Sequence, residues 1–282
     1  MNCVVCGGDA LREKLRKGDV EIWQCASCGL ARWFPSDDFR PEQTYDAAYF
    51  SDATACHGYD DYEALEPGLR RTFARRLSRI PRPQPDAHLL DIGAALGFAV
   101  AEAQRAGWQA YGLEVSLPAA VRSAQRTHGN MVVGSAIRPP FPSATFDAVT
   151  MWDVLEHLPD PHAAIGEAAR LLRPGGRLVL TTGDVGSLLA RVSRARWHLY
   201  TIPEHLFFYT RRSLRLLLSA HGLQVESIRA ESSFYTLGYL AERLRKTLLG
   251  QFANRPGRWS RSQIAMPVNL FDVVTLSAVR AE

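Results

Sequence analysis

Short apolar runs alternate with amphipathic segments along the chain from Asp86 onward. Each run has the length of a buried strand, and the segments between them place apolar residues three or four positions apart, as core-facing helices do. Capping residues mark the starts of two of these helices, at Ser116 and at Asp160 followed by Pro161. The pattern predicts seven strands, in the segments HLLDIG, QAYGLEV, MVVG, FDAVTMW, RLVLTT, LQVESIRA and NLFDVVTLSAVR.

This alternation predicts an α/β fold of Rossmann-like type, with a seven-stranded, doubly wound and mostly parallel sheet. The last two strands lack a clear helix between them, so one strand is expected to run antiparallel at the edge of the sheet. We assign residues 86–282 to this core, because Pro81, Pro83 and Pro85 mark a boundary immediately before it.

Residues 1–34 show a different pattern, which is set by cysteines. They contain four of the chain's five cysteines, as the pairs Cys3-x2-Cys6 and Cys25-x2-Cys28 with 18 residues between the pairs. Two such knuckles can complete a tetrahedral thiolate site, so we predict a small zinc-ribbon module with a hairpin and a structural zinc ion. The alternatives are two disulfides or four free thiols, and a redox-active Cys-x2-Cys pair.

Residues 35–85 are interpreted as a connector and substrate lid between this module and the core. The first part is rich in tyrosine, including Tyr45 and Tyr49, and the second part predicts a helix that ends before the prolines. Six arginines lie on or just after that helix: Arg70, Arg71, Arg75, Arg76, Arg79 and Arg82. We interpret them as a solvated helix face, with a binding patch as the alternative.

Composition and charge restrict the class of protein. The chain is 46% hydrophobic, begins without a secretory signal pattern, and has no apolar run near the ~20 residues of a membrane helix. A soluble, cytoplasmic protein without membrane association is therefore expected. A net charge of +4 suits a nucleic-acid partner, but only three of the 33 basic residues are lysines, a skew that GC-rich codon usage also explains.

Candidate ligand-binding residues follow the first two strands of the core. Asp91 ends the first strand, and Gly93, Ala94 and Gly97 form a turn without the G-x-G-x-x-G spacing of dinucleotide sites. Glu114 ends the second strand, where a carboxylate can accept both hydroxyls of a ribose. A carboxylate so near the turn disfavours a pyrophosphate and suits an ammonium and a sulfonium group. The pattern favours S-adenosylmethionine over NAD, with a plain strand-to-helix turn as the alternative.

Four segments in this order resemble class I S-adenosylmethionine-dependent methyltransferases: LLDIGAALGF, YGLEVS, FPSATFDAVTMWDVLEHLPDP and LLRPGGRLVLTT. The resemblance extends over residues 88–223. It implies that Asp91 and Gly93 approach the methionine part of the cofactor, and that Glu114 holds the ribose.

The same resemblance implies the outer part of the cofactor site. Val115 would follow the ribose-binding carboxylate, and Ser135 and Ala136 would face the adenine, where many relatives have Asp. Trp152 and Asp153 would line the gap between cofactor and substrate.

A narrower resemblance supplies candidate catalytic residues. The cysteine module, the tyrosines and a Glu-His pair after the fifth strand are similar to sugar C-methyltransferases of antibiotic pathways, although the sequence ends soon after the core, without their long C-terminal domain. In that family the histidine acts as a base, and the matching residues are Tyr45, Tyr49, Glu204 and His205. His157 is a further candidate base, with a structural histidine as its alternative.

An ordinary loop is the alternative for Glu204 and His205. In that interpretation Phe207 and Phe208 belong to the core and Thr210 caps the next helix. A histidine is nevertheless the side chain best suited to remove a proton from a methyl acceptor near neutral pH.

Three functions of different classes follow from these patterns. The favoured one is methyl transfer to a small molecule of secondary metabolism, with His205 as the candidate base. The second is an RNA methyltransferase whose ribbon grips nucleic acid through basic and aromatic residues: Arg12, Lys14, Arg16, Lys17 and Trp23. The third is a non-catalytic module that binds the cofactor or a partner protein.

Overall fold

The computed structural model describes residues 2–18, 20–35, 63–241, 262 and 264–281. Most of the predicted connector, including Tyr45 and Tyr49, lies outside these described residues. Among the described helices none is long and apolar enough to cross a bilayer.

Strands occur in all seven of the predicted apolar runs and in the predicted hairpin of residues 1–34, and the described residues contain four further short strands that the sequence did not predict, Ala31–Trp33, Phe207–Phe208, Ser233–Thr236 and Ala265–Val268. In chain order they are β1 (Leu11–Lys17), β2 (Val20–Cys25), β3 (Ala31–Trp33), β4 (His88–Ile92), β5 (Gln109–Glu114), β6 (Met131–Val133), β7 (Phe146–Trp152), β8 (Leu172–Gly183), β9 (Phe207–Phe208), β10 (Leu223–Ala230), β11 (Ser233–Thr236), β12 (Ala265–Val268) and β13 (Val273–Arg280). The helices are α1 (Glu66–Leu77), α2 (Phe98–Arg105), α3 (Leu117–Ser123), α4 (Pro161–Leu171), α5 (Leu188–Ser193) and α6 (Arg211–Ser219).

Seven strands form the main sheet, in the spatial order β10-β13-β8-β7-β4-β5-β6. The pairs from β8 to β6 are parallel, and β13 runs antiparallel to both β8 and β10. The predicted Rossmann-like sheet with one antiparallel strand is confirmed. That strand is β13, and it lies one position inside the edge. Because β4, β5, β7 and β8 are parallel, their carboxyl ends meet at one edge, where ligands of such sheets bind.

Helices cover the sheet through stripes of apolar residues. On α6, Leu214, Leu217 and Leu218 are buried at helical spacing, whereas the positions between them face outward. The predicted cap at Asp160 is present, since its Oδ1 accepts a hydrogen bond of 2.9 Å from the Ala163 N–H. Ser116 lies at the N-cap position of α3, but its side chain makes no capping hydrogen bond there. The α1 helix contacts α2 and the antiparallel pair of β11 and β12, and α4 contacts α6.

The cysteine module packs against the core and shares a sheet with it. Its sheet has the order β1-β2-β3-β9, so its fourth strand comes from the segment that follows His205. Cys3, Cys25 and Cys28 belong to the same buried cluster as Phe207 of the core. The module therefore forms a continuous interior with the sheet domain.

Candidate functional site

Two buried carboxyl groups end the neighbouring strands β4 and β5. Asp91 is 1% exposed and accepts a hydrogen bond of 2.6 Å from the Thr150 hydroxyl of β7. Glu114 is 5% exposed and accepts hydrogen bonds from the main-chain N–H groups of Ala95 (2.7 Å) and Ser116 (2.9 Å). These bonds orient both carboxyl groups, while each carboxylate oxygen keeps a second lone pair for a ligand.

The turn between β4 and α2 depends on two glycines. Gly93 has a φ of 74°, and a Cβ there would lie 2.5 Å from Val154 Cγ2. Gly97 has a φ of 75°, and a Cβ there would lie 2.5 Å from Thr127 Cγ2. Any larger residue would meet both backbone strain and a clash. The predicted turn is thus tightly packed at both ends, against Val154 at Gly93 and against Thr127 at Gly97.

The same turn is tied to the second carboxyl group. The N–H groups of Gly93 and Ala94 donate to the Leu113 carbonyl, at 2.8 and 3.1 Å. Leu113 precedes Glu114 on β5, so the turn and the second strand are fixed relative to each other. The structure therefore brings together the sequence-predicted residues Asp91, Gly93 and Glu114.

Burial sets the electrostatics of this carboxyl pair. It raises the pKa of Asp91 to about 7, with a further increase from the charge of Glu114, against a lowering by the Thr150 hydrogen bond. Burial also raises the pKa of Glu114, although main-chain N–H donors oppose the shift. Two desolvated carboxyl groups so arranged favour a ligand that brings positive charge and hydroxyl donors.

The surface beyond Glu114 is apolar and accessible. Val115, Val133 and Ile137 are exposed, although such side chains are usually buried. Ser135 is exposed and Ala136 is half-buried beside them. A flat ring with apolar faces and a polar edge, such as a purine, would fit this surface chemically.

Trp152 and Asp153 end β7 at the same edge, and an unexpected arginine lies against them. Trp152 is buried, and its Nε1 has no hydrogen-bond partner among the described residues. The guanidinium of Arg76 lies 5.5 Å from the Trp152 ring centroid, and its Nη1 lies 3.8 Å from Asp153 Oδ2. Asp153 Oδ1 also accepts a hydrogen bond of 2.9 Å from the Thr181 hydroxyl.

The interpretation of the arginines as a solvated face is wrong for Arg76, which is 3% exposed. Arg71, Arg75, Arg79 and Arg82 are exposed, as predicted. The signal was present in the helical spacing, because Arg76 follows the buried Phe73 by three positions. A cation on the apolar stripe of a helix points toward a site rather than toward solvent.

A second group of titratable side chains lies just beyond β7. Glu156, His157 and His205 place one carboxylate oxygen and one nitrogen of each ring within 4.8 Å of one another. Glu156 is 4% exposed, and its Oε2 has no hydrogen-bond partner within the described part of the chain. Burial and the charge of Asp153 raise the pKa of Glu156 to about 8. Glu156 lies within the segment FPSATFDAVTMWDVLEHLPDP, where no sequence signal distinguishes it as a site residue.

Main-chain carbonyls hold both imidazole rings. The Nδ1 of His157 lies 2.9 Å from the Glu204 carbonyl, and the Nδ1 of His205 lies 2.9 Å from the Leu199 carbonyl. A carbonyl only accepts, so the bond to Leu199 places the proton of neutral His205 on Nδ1 and the lone pair on Nε2. The rings meet edge to face, with centroids 4.6 Å apart.

Burial keeps this pair of histidines neutral. It lowers the pKa of His157 to about 4, and it lowers the pKa of His205 to about 3, with a further contribution from His157. The charge of Asp153 raises the pKa of His157 and so opposes its shift. Asp153 therefore interacts electrostatically both with Arg76 and with His157.

The segment after Glu204 and His205 also shows the packing and the helix cap that an ordinary loop would have. Phe207 and Phe208 are buried, and Thr210 caps α6 by accepting a hydrogen bond of 3.1 Å from the Ser213 N–H. The two interpretations are compatible, because packing and capping follow His205 and leave its ring beside His157. Glu204 is buried.

The four cysteines of the module converge as the spacing predicts. Their sulfurs lie within 4.8 Å of one another, with Cys3 Sγ 3.5 Å from Cys28 Sγ and Cys6 Sγ 3.6 Å from Cys25 Sγ. Thiolates around a tetrahedral zinc ion, with bonds of ~2.3 Å, would be about 3.8 Å apart. These distances do not correspond to disulfides, whose sulfurs are bonded at ~2.05 Å, and all four cysteines are free. The residues fit a four-thiolate metal ion.

Comparison with known proteins adds to this geometry. Residues 65–228, more than half of the chain, match the family model described as a methyltransferase domain. The chain belongs to this family. The matched range contains the carboxyl pair, the glycine turn, Arg76 and the histidine pair, and ends within β10. The predicted assignment to methyltransferases is thereby confirmed at the level of the family.

Curated relatives carry specific names. The chain is 36% identical over 129 residues to nocamycin O-methyltransferase of Saccharothrix syringae, a match that covers 43% of this chain and 46% of the relative. It is 36% identical over 134 residues to 27-O-demethylrifamycin SV methyltransferase of Amycolatopsis mediterranei, which covers 44% and 49% respectively. The chain thus spans about half the length of these curated relatives.

Solved structures support the fold. Geranyl diphosphate C-methyltransferase from Streptomyces coelicolor aligns with a TM-score of 0.53 at 19% identity, over 76% of this chain and 79% of that one. At such identity the likeness concerns the arrangement of helices and strands.

Replacing Asp91 by Asn tests the ionisation of this buried carboxyl group. Its pKa is raised to about 7 in the fold and is about 3.9 in an unfolded chain, so only the folded state keeps the proton between these values. The contribution of Asp91 to the free energy of unfolding therefore falls as pH rises, by up to about 1.4 kcal/mol per pH unit. Asp91→Asn avoids this loss, so it should be increasingly more stable than wild type from pH 4 to pH 8.

Urea unfolding at several pH values measures this difference. Asp86→Asn, at an exposed position, controls for the loss of one negative charge. A stability difference between Asp91→Asn and wild type that is the same at pH 4 and pH 8 would contradict the assignment.

Proposed function

We propose that this chain transfers a methyl group from S-adenosylmethionine to a small-molecule acceptor of secondary metabolism. The observation that carries the proposal is the buried carboxyl pair, Asp91 and Glu114, around the glycine turn of a chain in the methyltransferase-domain family. The pair offers acceptors to an ammonium group and to ribose hydroxyls, and its negative character disfavours a pyrophosphate.

Each part of the cofactor has a matching surface in this proposal. Asp91, Gly93, Ala94 and Gly97 hold the methionine part, and Glu114 holds the ribose. Val115, Ser135 and Ala136 face the adenine, and Trp152 and Asp153 border the acceptor. When bound, S-adenosylmethionine supplies an electrophilic methyl group on its sulfonium. The work of the chain is then mainly alignment, because reacting atoms must approach to ~3 Å.

His205 is the candidate base for the acceptor proton. Its ring is oriented by the bond from Nδ1 to Leu199, which leaves Nε2 to receive a proton as the new bond to the methyl carbon forms. His157 packs edge to face against this ring, and the Glu204 main-chain carbonyl holds His157, so both residues are assigned to the same site. Tyr45 and Tyr49, which lie outside the described residues, remain candidates for acceptor binding.

The names of the relatives favour an oxygen acceptor. Nocamycin O-methyltransferase and 27-O-demethylrifamycin SV methyltransferase both carry the methylated oxygen in their names, and ubiquinone biosynthesis O-methyltransferase of Xanthomonas oryzae is a further relative. We infer a hydroxyl group of a natural product as the acceptor. A sugar carbon is the second candidate, because four converging cysteines and a Glu-His pair occur together in this chain.

The four cysteines are assigned to a structural zinc ion. Four thiolate ligands would complete its coordination, so the ion would stabilise the module and would not bind substrate.

Cys28→Ser tests the zinc assignment. The wild-type chain should carry about one zinc ion, and the variant should lose it and unfold at a lower temperature, because metal binding contributes to folding. Metal analysis and thermal unfolding measure both effects. Cys56→Ser, at the fifth cysteine and outside the described residues, is the matched control and should retain the ion. Zinc-free wild-type protein of unchanged thermal stability would contradict the assignment.

Calorimetry tests the cofactor. S-adenosylhomocysteine should bind and NAD should not. Glu114→Gln should weaken S-adenosylhomocysteine binding by about 10- to 100-fold, the cost of one or two charge-assisted hydrogen bonds. Glu167→Gln, on α4 and paired with Arg170, should bind as wild type does. Failure of S-adenosylhomocysteine to bind the wild-type chain would remove the basis of the proposal.

Turnover tests the base. With an acceptor identified by a substrate screen, His205→Asn should lower kcat by about 10²- to 10⁴-fold, and Glu204→Gln should lower it by less. Affinity for S-adenosylhomocysteine should remain that of wild type in both. His221→Asn, at a histidine that pairs with His162 after α6, is the control. A wild-type kcat in His205→Asn would contradict the assignment and would mean that His205 serves only in packing.

A further inference from the structure

The cysteine module contacts the His205 segment through main-chain pairing. β3 pairs with β9 in antiparallel register, with Ala31 opposite Phe208 and Arg32 opposite Phe207. β9 begins two residues after His205 and is only two residues long. Such a short strand has little stability of its own, so its position depends on the strand beside it.

Two side-chain hydrogen bonds flank this pairing. The indole Nε1 of Trp33 donates to the main-chain carbonyl of His205 at 2.8 Å. The hydroxyl of Thr210 donates to the main-chain carbonyl of Cys28, also at 2.8 Å. One bond lies before β9 and the other after it, so the module fixes the segment at both ends.

The sheet domain holds the remaining polar groups of His205. Its N–H donates to the Thr201 carbonyl at 2.7 Å, and its Nδ1 is bonded to the Leu199 carbonyl. The next N–H, that of Leu206, donates to the Glu156 carbonyl at 2.8 Å. The carbonyl of His205 is thus the polar group through which the module reaches this residue directly.

The cysteine knuckle from Cys25 to Cys28 determines where β3 starts and therefore where Trp33 lies. The Cys25 N–H donates to the Leu30 carbonyl and the Gly29 N–H donates to the Cys25 carbonyl, both at 2.9 Å, so the turn from β2 into β3 is formed around the cysteines. Trp33 follows Cys28 by five residues, at the end of β3. Any change in the knuckle is therefore transmitted along β3 to the indole.

We propose that the cysteine module positions the candidate base, and that Trp33 is the positioning residue through which it acts on His205. The effect on catalysis rests on the proposed function, whereas the effect on the imidazole does not. Removal of the indole N–H would free the His205 carbonyl and allow the main chain to rotate. A displacement of the ring by about 1 Å is enough to lower turnover by up to ~100-fold.

Trp33→Phe tests this role, because it keeps an aromatic ring and removes the donor. We expect kcat to fall 5- to 50-fold, with zinc content and affinity for S-adenosylhomocysteine unchanged. In NMR spectra of protein with ¹³C-labelled histidine, the His205 imidazole resonance, assigned by its absence in His205→Asn, should shift. Trp23→Phe, on β2 of the same module, is the matched control and should leave both kcat and that resonance as in wild type.

A second variant covers the case in which Trp33→Phe does not fold. Replacement of Trp33 by β-(3-benzothienyl)alanine keeps the two fused rings and substitutes sulfur for the N–H. The same loss of kcat and shift of the resonance are expected. Removal of zinc by a chelator should also shift or broaden the His205 resonance before the sheet domain unfolds.

The outcomes separate this proposal from the proposed function. A wild-type kcat together with an unmoved His205 resonance, in a Trp33 variant that retains zinc, would overturn the positioning role. If His205→Asn has wild-type turnover while the Trp33 variants still shift the resonance, the base assignment fails and the structural coupling stands. Equal losses of kcat in Trp33→Phe and Trp23→Phe would indicate general loosening of the module and would also overturn the proposal.

Discussion

Carboxyl groups buried at one edge of a parallel sheet are the constraint on which this site depends. Asp91, Glu114 and Glu156 are all at most 5% exposed, and a carboxylate removed from water is costly unless donors replace its hydration. The fold supplies part of that replacement, because the turns after β4 and β5 leave N–H groups that helices and strands do not use. Glu114 takes two of them, and Asp91 takes the hydroxyl of Thr150. The part of the desolvation cost that these donors do not offset favours ligands with positive charge and with hydroxyl donors.

In the proposed reaction, the low pKa of the histidine pair would set the stage of methyl transfer at which a proton can move to His205. A neutral imidazole whose pKa is lowered to about 3 is a weak base toward a free hydroxyl group. An oxygen that is forming a bond to a methyl group becomes far more acidic as positive charge develops on it. Proton transfer to His205 would therefore be favourable late in the displacement rather than before it. In that reaction, a ring held by Leu199 and His157 would need no reorientation when the proton arrives.

Much of the site could be predicted from the sequence because its residues follow strand ends. Asp91 and Glu114 lie where apolar runs stop, and parallel strands bring such positions to one edge. Local patterns carry no information on pairing between distant segments. Trp33 and His205 are 172 positions apart, and the place of β13 inside the sheet is likewise a long-range property. The burial of Arg76 and Glu156 was missed for a different reason, since charged residues are assigned to the surface unless their helical position is followed.

The contacts of the cysteine module help to decide whether it holds a segment of its own chain or binds nucleic acid. Its third strand and its cysteine knuckle face inward and hold the segment from His205 to Thr210. Part of its basic surface is paired internally, because Arg16 forms ion pairs with Glu13 and Glu21 and Lys14 donates to Gln24. A surface that grips nucleic acid gains affinity from unpaired cations that replace counterions on the phosphates. Arg16 and Lys14 would first have to leave these partners. The arrangement therefore favours a module that holds the segment from His205 to Thr210 of its own chain over one that binds a polyanion.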